Sequence, residues 1–109
     1  MTPMTPEFRK AVEDTIAWLE SAPADHTRGS LARDRYNEEI VPLSESAVAW
    51  CALGGLIKRC ASRVPVLELP DQIRFSIATA NDLHGPVAAA RELRKLLEGE
   101  QPHEMENMK

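Results

Sequence analysis

The stretch Ser44–Cys60, SESAVAWCALGGLIKRC, holds both cysteines of the chain, one of its two tryptophans and a Gly54-Gly55 pair inside an apolar run. Ala47, Val48, Trp50, Cys51, Leu53, Gly54, Leu56, Ile57, Cys60 and Ala61 go nearly all the way round a helical wheel, the pattern of an element covered on every side. With Ser44 or Ser46 as N-cap, the spacing predicts a helix running to about Ser62, central in the fold. A glycine inside a helix costs about 1 kcal/mol relative to alanine. The pair therefore calls for a packing reason, the simplest being close approach of another backbone. Trp50, Cys51, Gly54 and Leu56 are assigned to the core, with Trp50 against the first and fourth helices. Lys58, Arg59 and Arg63 complement the negative end of this helix.

Working outward, Thr5 caps a first helix, Pro6 occupies its first turn and Glu7 favours its dipole. Phe8, Ala11, Val12, Thr15, Ile16 and Leu19 form its apolar stripe, and Ser21-Ala22-Pro23 ends it. From Ala24 to Leu43 the helical period is lost. Ser30–Asp34 and Glu39–Val41 read as short strands around a polar turn at Tyr36-Asn37-Glu38, a small β-hairpin or ordered loop between helices 1 and 2. A connection this long in a compact domain is often functional.

After Val64-Pro65, VPVLELP reads as an extended connector. Pro70 or Asp71 opens a third helix with Ile73, Ile77 and Ala80 inward, NDLHGP interrupts it, and Pro86 starts a fourth with Val87, Ala90, Leu93 and Leu97 on one face. Gly99 closes that helix, and residues 99–109 have no periodicity and read as a frayed tail. The expected fold is mainly α, about four helices around a central apolar helix, in one domain over residues 1–98.

Composition narrows the function classes. A formal net charge of -4 argues against general nucleic-acid binding, which depends on a basic surface displacing counterions. No stretch has the form of an export signal, and the longest apolar run, Ala47–Ile57, is shorter than the ~20 residues that span a bilayer. A cytoplasmic location with reduced thiols and no membrane contact is expected. On one helix Cys51 and Cys60 stand roughly 13 Å apart along the axis and point to opposite sides, so a disulfide between them is excluded while the helix is intact.

Cys51 with His84 and Asp82 or Asn81 would make a nucleophilic constellation. Placed in the second turn of an apolar helix, however, Cys51 reads as a small core hydrophobe. Cys51, Cys60, His26, His84 and His103 lack zinc-site spacing, so neither a metal nor another cofactor is expected. Phosphate-loop, dinucleotide and hydrolase signatures are absent.

ANDLHGP has two readings. In one, Asn81 takes a left-handed conformation at a helix end, Asp82 accepts backbone N–H groups and Gly85-Pro86 launches the next helix. In the other, Asn81, Asp82 and His84 face Arg28, Arg33, Asp34 and Arg35 of the loop across a small anion or peptide site.

GSLARD, then VPLSESAVAWCALGGL, then ANDLHGP before a last leucine-rich helix resembles a family of small bacterial and bacteriophage proteins with no assigned activity. Gly29, Ala32, Arg33, Asp34, Trp50, Cys51, Gly54, Leu56, Asn81 and Asp82 fall on its pattern, and HGPVAAARELRKLL departs from it. The resemblance implies a shared fold and a phage or mobile-element setting. The acidic charge, small size, absent catalytic motifs and polar loop, and not the resemblance, suggest two functions. The first is a small acidic interaction protein that binds or inhibits another protein. The second is a small-ligand binder, for an anion or nucleotide, using loop 26–41 and the Asn81-Asp82 turn. A cysteine-dependent enzyme stands third, and homo-oligomerisation is left open.

Overall fold

A computed structural model describes residues 4–98. Over the described residues the protein is mainly helical, with five helices and a small two-stranded antiparallel sheet between the first and second. The Gly99 helix stop and the tail beyond it lie outside the described residues.

Helix α1 spans Pro6–Glu20, and the Thr5 hydroxyl accepts the Phe8 N–H at 3.1 Å. Its buried stripe is Phe8, Ala11, Val12, Thr15, Ile16 and Leu19. The buried Thr15 hydroxyl is satisfied within the helix by the Ala11 carbonyl at 2.7 Å.

The segment that decides the fold differs from its reading in one respect. Helix α2 covers Ala52–Cys60 only, and the chain before it is extended. Strand β2, Ala49–Trp50, pairs antiparallel with β1, Ala32–Arg33, in the register Ala32 to Trp50 and Arg33 to Ala49. Glu39 meets Arg33 in an isolated bridge, so the local hairpin expected between Ser30–Asp34 and Glu39–Val41 is reduced to that bridge, made by the Ile40 N–H to Ala32 carbonyl and Asp34 N–H to Glu38 carbonyl bonds. Trp50 supplies the reason. Its N–H goes to Asp25, its carbonyl receives the Thr27 N–H, and its neighbour Cys51 donates to Leu31. Backbone partners on both sides outweigh the bonds a helix would offer at this position.

Gly54 has the packing reason its sequence position demanded. A Cβ there would overlap the Leu31 carbonyl, so the first turn of α2 seats directly on loop backbone. At Gly55 a Cβ would stand 2.6 Å from the Trp18 ring.

Val64–Leu67 forms a short helix, α3, instead of an extended connector. Pro65 fits a helix's first turn, and Val66 and Leu69 gain burial at 2% and 8% exposure. Helix α4, Asp71–His84, runs uninterrupted through Asn81-Asp82-Leu83 and stops at Gly85. Gly85, not Asn81, carries the positive φ, at 96° with ψ at -174°, a conformation open only to glycine. Helix α5, Pro86–Glu98, buries Ala89, Ala90, Leu93 and Leu96, whereas Val87 is exposed and Leu97 half-buried, a rotation of the expected stripe. Its two alanines let α5 approach closely, and it packs against α1 and α4 while α1 also packs on α2.

Trp50 is buried, yet not between the first and fourth helices of the sequence reading. It sits in a separate small cluster with Ala32 and Ala47, flanked by Trp18 and Ile40. Its indole N–H reaches the Pro42 carbonyl at 3.0 Å, and the Lys58 ammonium lies 3.8 Å from the ring centroid. Cys51, Leu56 and Ile57 join the main cluster with α1 and α5.

Candidate functional site

The corner where the loop meets α2 and α4 is organised by Asn81. The helix period brings this residue to the buried face of α4 one turn after Ile77, and it is fully buried. Its Oδ1 accepts the Ala52 N–H at 2.9 Å and lies 2.6 Å from His26 Nε2. Its Nδ2 donates to the Thr27 carbonyl at 3.2 Å and to Asp82 Oδ1 at 3.0 Å. Both donors and both acceptor positions of the side-chain amide are thus used inside the protein. The Ala52 N–H is one of the orphan donors of a helix start, here satisfied by a side chain from another helix.

Asp82 extends the same arrangement. Its Oδ1 also accepts the Gly29 N–H at 2.9 Å, while its carbonyl lies 3.4 Å from Arg28 Nη1. Arg28 therefore places its charge at the C-terminal end of α4, where a cation opposes the helix dipole. Arg33 ties the loop to itself, with Nε on the Thr27 hydroxyl at 3.2 Å, Nη1 on the Asn37 carbonyl at 3.0 Å and Nη2 near the Arg28 carbonyl at 3.4 Å. Asp34 Oδ1 accepts the Tyr36 and Glu38 N–H groups at 2.8 and 3.0 Å, which closes the turn.

Of the seven residues singled out from sequence, four are joined by these bonds, Arg28, Arg33, Asn81 and Asp82, while Asp34 bonds only within its own turn. Two stand apart from them. Arg35 lies over the Tyr36 ring at 5.0 Å and donates to its hydroxyl at 2.8 Å, both exposed. His84, also exposed, faces a shallow groove between α4 and α5 with Ala80, Val87, Ala88 and Arg91.

Cys51 is not in the second turn of a helix. It is the N-cap of α2, with extended backbone, and its Sγ accepts the Gly54 N–H at 3.3 Å. That position normally activates a thiol. Here burial dominates and pushes the Cys51 pKa up; backbone N–H groups of the helix start oppose this and the Asp82 charge reinforces it. The half-buried Cys60 thiol is pushed up by burial as well. No hydrogen bond links Cys51 to His84 among the described residues, and none of their His, Cys, Asp and Glu groups is arranged to hold a metal.

Sequence reasoning missed His26, Thr27 and Trp18 as parts of this corner. Trp18 donates its indole N–H to Asp25 at 2.9 Å, carries the Arg59 guanidinium 4.8 Å over its ring and lies near His26, with centroids 6.2 Å apart. Burial pulls the Arg59 pKa down, and the charges of Asp25 and Asp14 oppose that shift. Lys58 and Arg59 thus cover two indoles in addition to ending a helix. Partners 55 and 29 residues away in the chain, as for His26 and Ala52 on Asn81, leave no local pattern.

No helix among the described residues is long and apolar enough to cross a membrane. Compared with protein families, curated proteins and solved structures, the chain finds no match.

Proposed function

We propose that the protein is a small interaction module that binds another protein through loop 26–48, in keeping with a bacterial or phage regulator that binds or inhibits a host protein. One observation carries this reading: Tyr36, Val41, Val48 and Leu43 are 68%, 58%, 49% and 46% exposed on a loop whose Thr27, Arg33 and Asp34 polar groups are bonded within the protein. A loop that only connected α1 to α2 would have no need of four exposed large apolar side chains. Exposed Glu38, Glu39 and Glu45 are interspersed among them, which favours a partner with an apolar pocket and a basic rim, and electrostatic steering toward it.

The ligand-binding alternative is disfavoured by the consumption of its polar groups. Asn81, Asp82 and Arg33 spend their donors and acceptors on the loop and on α2, leaving few directed toward a ligand.

The test is capture from a bacterial lysate, with native mass spectrometry of the purified protein beside it. A partner bound by the wild type should be lost with Tyr36→Ser/Val41→Ser and retained with Glu13→Ser on α1, and its binding should weaken as salt is raised. Equal capture by all three proteins, or a stoichiometric small molecule on the purified chain, would contradict the proposal.

A further inference from the structure

The pairing around β1 leaves one strand edge open. Beyond β2, the backbone of Asp25 and Thr27 closes the sheet by bonding Trp50. On the other side, the Arg33–Glu39 bridge is made by its flanking residues, Ile40 N–H to the Ala32 carbonyl at 3.1 Å and Asp34 N–H to the Glu38 carbonyl at 2.9 Å. Arg33 and Glu39 are therefore a non-hydrogen-bonded pair, in which each residue turns its own N–H and C=O away from the other. The Arg33 carbonyl accordingly receives the Val48 N–H at 2.9 Å, while the Glu39 groups point out of the sheet. Two residues on, the Val41 N–H points the same way. Among the described residues the Glu39 N–H, the Glu39 carbonyl and the Val41 N–H have no hydrogen bond, whereas the Val41 carbonyl is closed off by the Ser44 N–H at 3.1 Å.

We infer that the partner is held here by strand addition, an extended basic segment of it pairing along Glu39–Val41. The inference rests on the proposed loop surface and adds how that surface grips. Alternating outward donors and acceptors at strand spacing are matched by another extended backbone, and no other chain geometry pairs with all of them. The sign of the segment follows from charge. Glu38, Glu39 and Glu45 are exposed and none is in a salt bridge among the described residues. The neighbouring cations are committed elsewhere, Arg33 to Thr27 and the Asn37 and Arg28 carbonyls, Arg35 to Tyr36. A second copy added antiparallel about Glu39 would set Glu39 against Glu39, and like charges directly opposite are destabilising, so the edge selects a different chain. Glu39 and Val41 stand on one face of the strand, which fits a segment with lysine or arginine two residues from an apolar side chain.

Titration of the amide NMR spectrum with the capped octapeptide TKTVTKTV, taken to ~2 mM because a short peptide binds weakly, tests it. The Glu39 and Val41 amide protons should move downfield and exchange more slowly. Binding should weaken at least tenfold when the central Val-Thr of the peptide becomes Pro-Pro, which removes backbone donors, and at least tenfold when its lysines become glutamate. On the protein, Glu39→Pro removes an outward N–H that bonds nothing in the fold, and should weaken binding at least tenfold with unchanged circular dichroism. Glu39→Thr keeps that N–H and should weaken binding less. No shift at either amide, or equal binding of the Pro-Pro peptide, would overturn the inference. In the lysate capture, a partner lost with Tyr36→Ser/Val41→Ser and with Glu39→Pro supports strand addition. A partner lost with the first and retained by Glu39→Pro would keep the loop surface and overturn the added strand.

Discussion

The Asn81 side-chain oxygen accepts the Ala52 N–H at 2.9 Å, so the N-terminus of α2 is capped from α4, 29 residues later in the chain. Cys51 supplies the local half of the cap by taking the Gly54 N–H on its sulfur. Removing the remote half should be costly. Asn81→Ala strands the Ala52 N–H and the Thr27 carbonyl, and buried unsatisfied groups cost ~1 to 3 kcal/mol each. A loss of about 3 kcal/mol in urea unfolding is expected; a change below ~0.5 kcal/mol would contradict the role.

Gly54→Ala drives a methyl into the Leu31 carbonyl, which is backbone and anchored by the Cys51 N–H. Overpacking of this kind costs ~1 to 3 kcal/mol and more where the neighbour is fixed, beyond the helix-propensity gain of about 1 kcal/mol from replacing glycine. Net destabilisation by thermal melting is the expected outcome, and a stabilised Gly54→Ala variant would show that the helix does not seat on the loop.

Trp50→Ala empties the small cluster, frees the Pro42 carbonyl and releases Lys58. Truncating a buried indole costs ~3 to 5 kcal/mol. Because Trp50 lies outside the main core, near-native helical circular dichroism should survive with a much lower melting temperature, and loss of all helix would place Trp50 in the main core instead.

The cysteines make stability fall at alkaline pH. Burial holds the folded Cys51 pKa above its ordinary value, so the folded state keeps a proton that the unfolded state releases. The contribution is whole below about pH 9 and is lost as pH rises from there toward the folded value, at no more than ~1.4 kcal/mol per pH unit. Cys60 acts in the same direction. Cys51→Ser should flatten this limb at little cost near pH 7, because serine is a good N-cap and its hydroxyl can take the Gly54 N–H. An unchanged alkaline limb, or rapid alkylation of native Cys51 at pH 7, would contradict a protonated core thiol.

How much of this was legible in the sequence varied with the distance over which each residue acts. Helix α1 was readable to its cap, because Thr5, Pro6 and the stripe from Phe8 to Leu19 are local signals. The close approach at Gly54 was also readable, since a glycine that weakens an apolar helix is offset by the contact its missing side chain allows. The start of α2 was not. Ala47–Cys51 satisfies helical periodicity, and only backbone bonds to Asp25, Thr27, Leu31 and Arg33 hold it extended.

ANDLHGP marked a real corner, but Gly85 rather than Asn81 takes the left-handed turn, and Asn81 is spent on bonds to distant segments. The residues that stood out as a spaced pattern in the sequence are largely mutual partners here. Gly29 bonds Asp82, Ala32 pairs with Trp50, Arg33 and Asp34 hold the loop, and Cys51, Gly54 and Asn81 set the start of α2. A motif of that kind specifies how a loop is anchored.

The anchoring itself is best tested by amide hydrogen exchange at Ala52 and Gly29, whose N–H groups end on the Asn81 and Asp82 side chains. Both amides should be protected in the wild type. Asn81→Ala should release Ala52, and Asp82→Ala should release Gly29, by tenfold or more relative to the amides of α1. Unprotected amides at both positions in the wild type, or protection that survives both substitutions, would mean that these residues do not hold the loop.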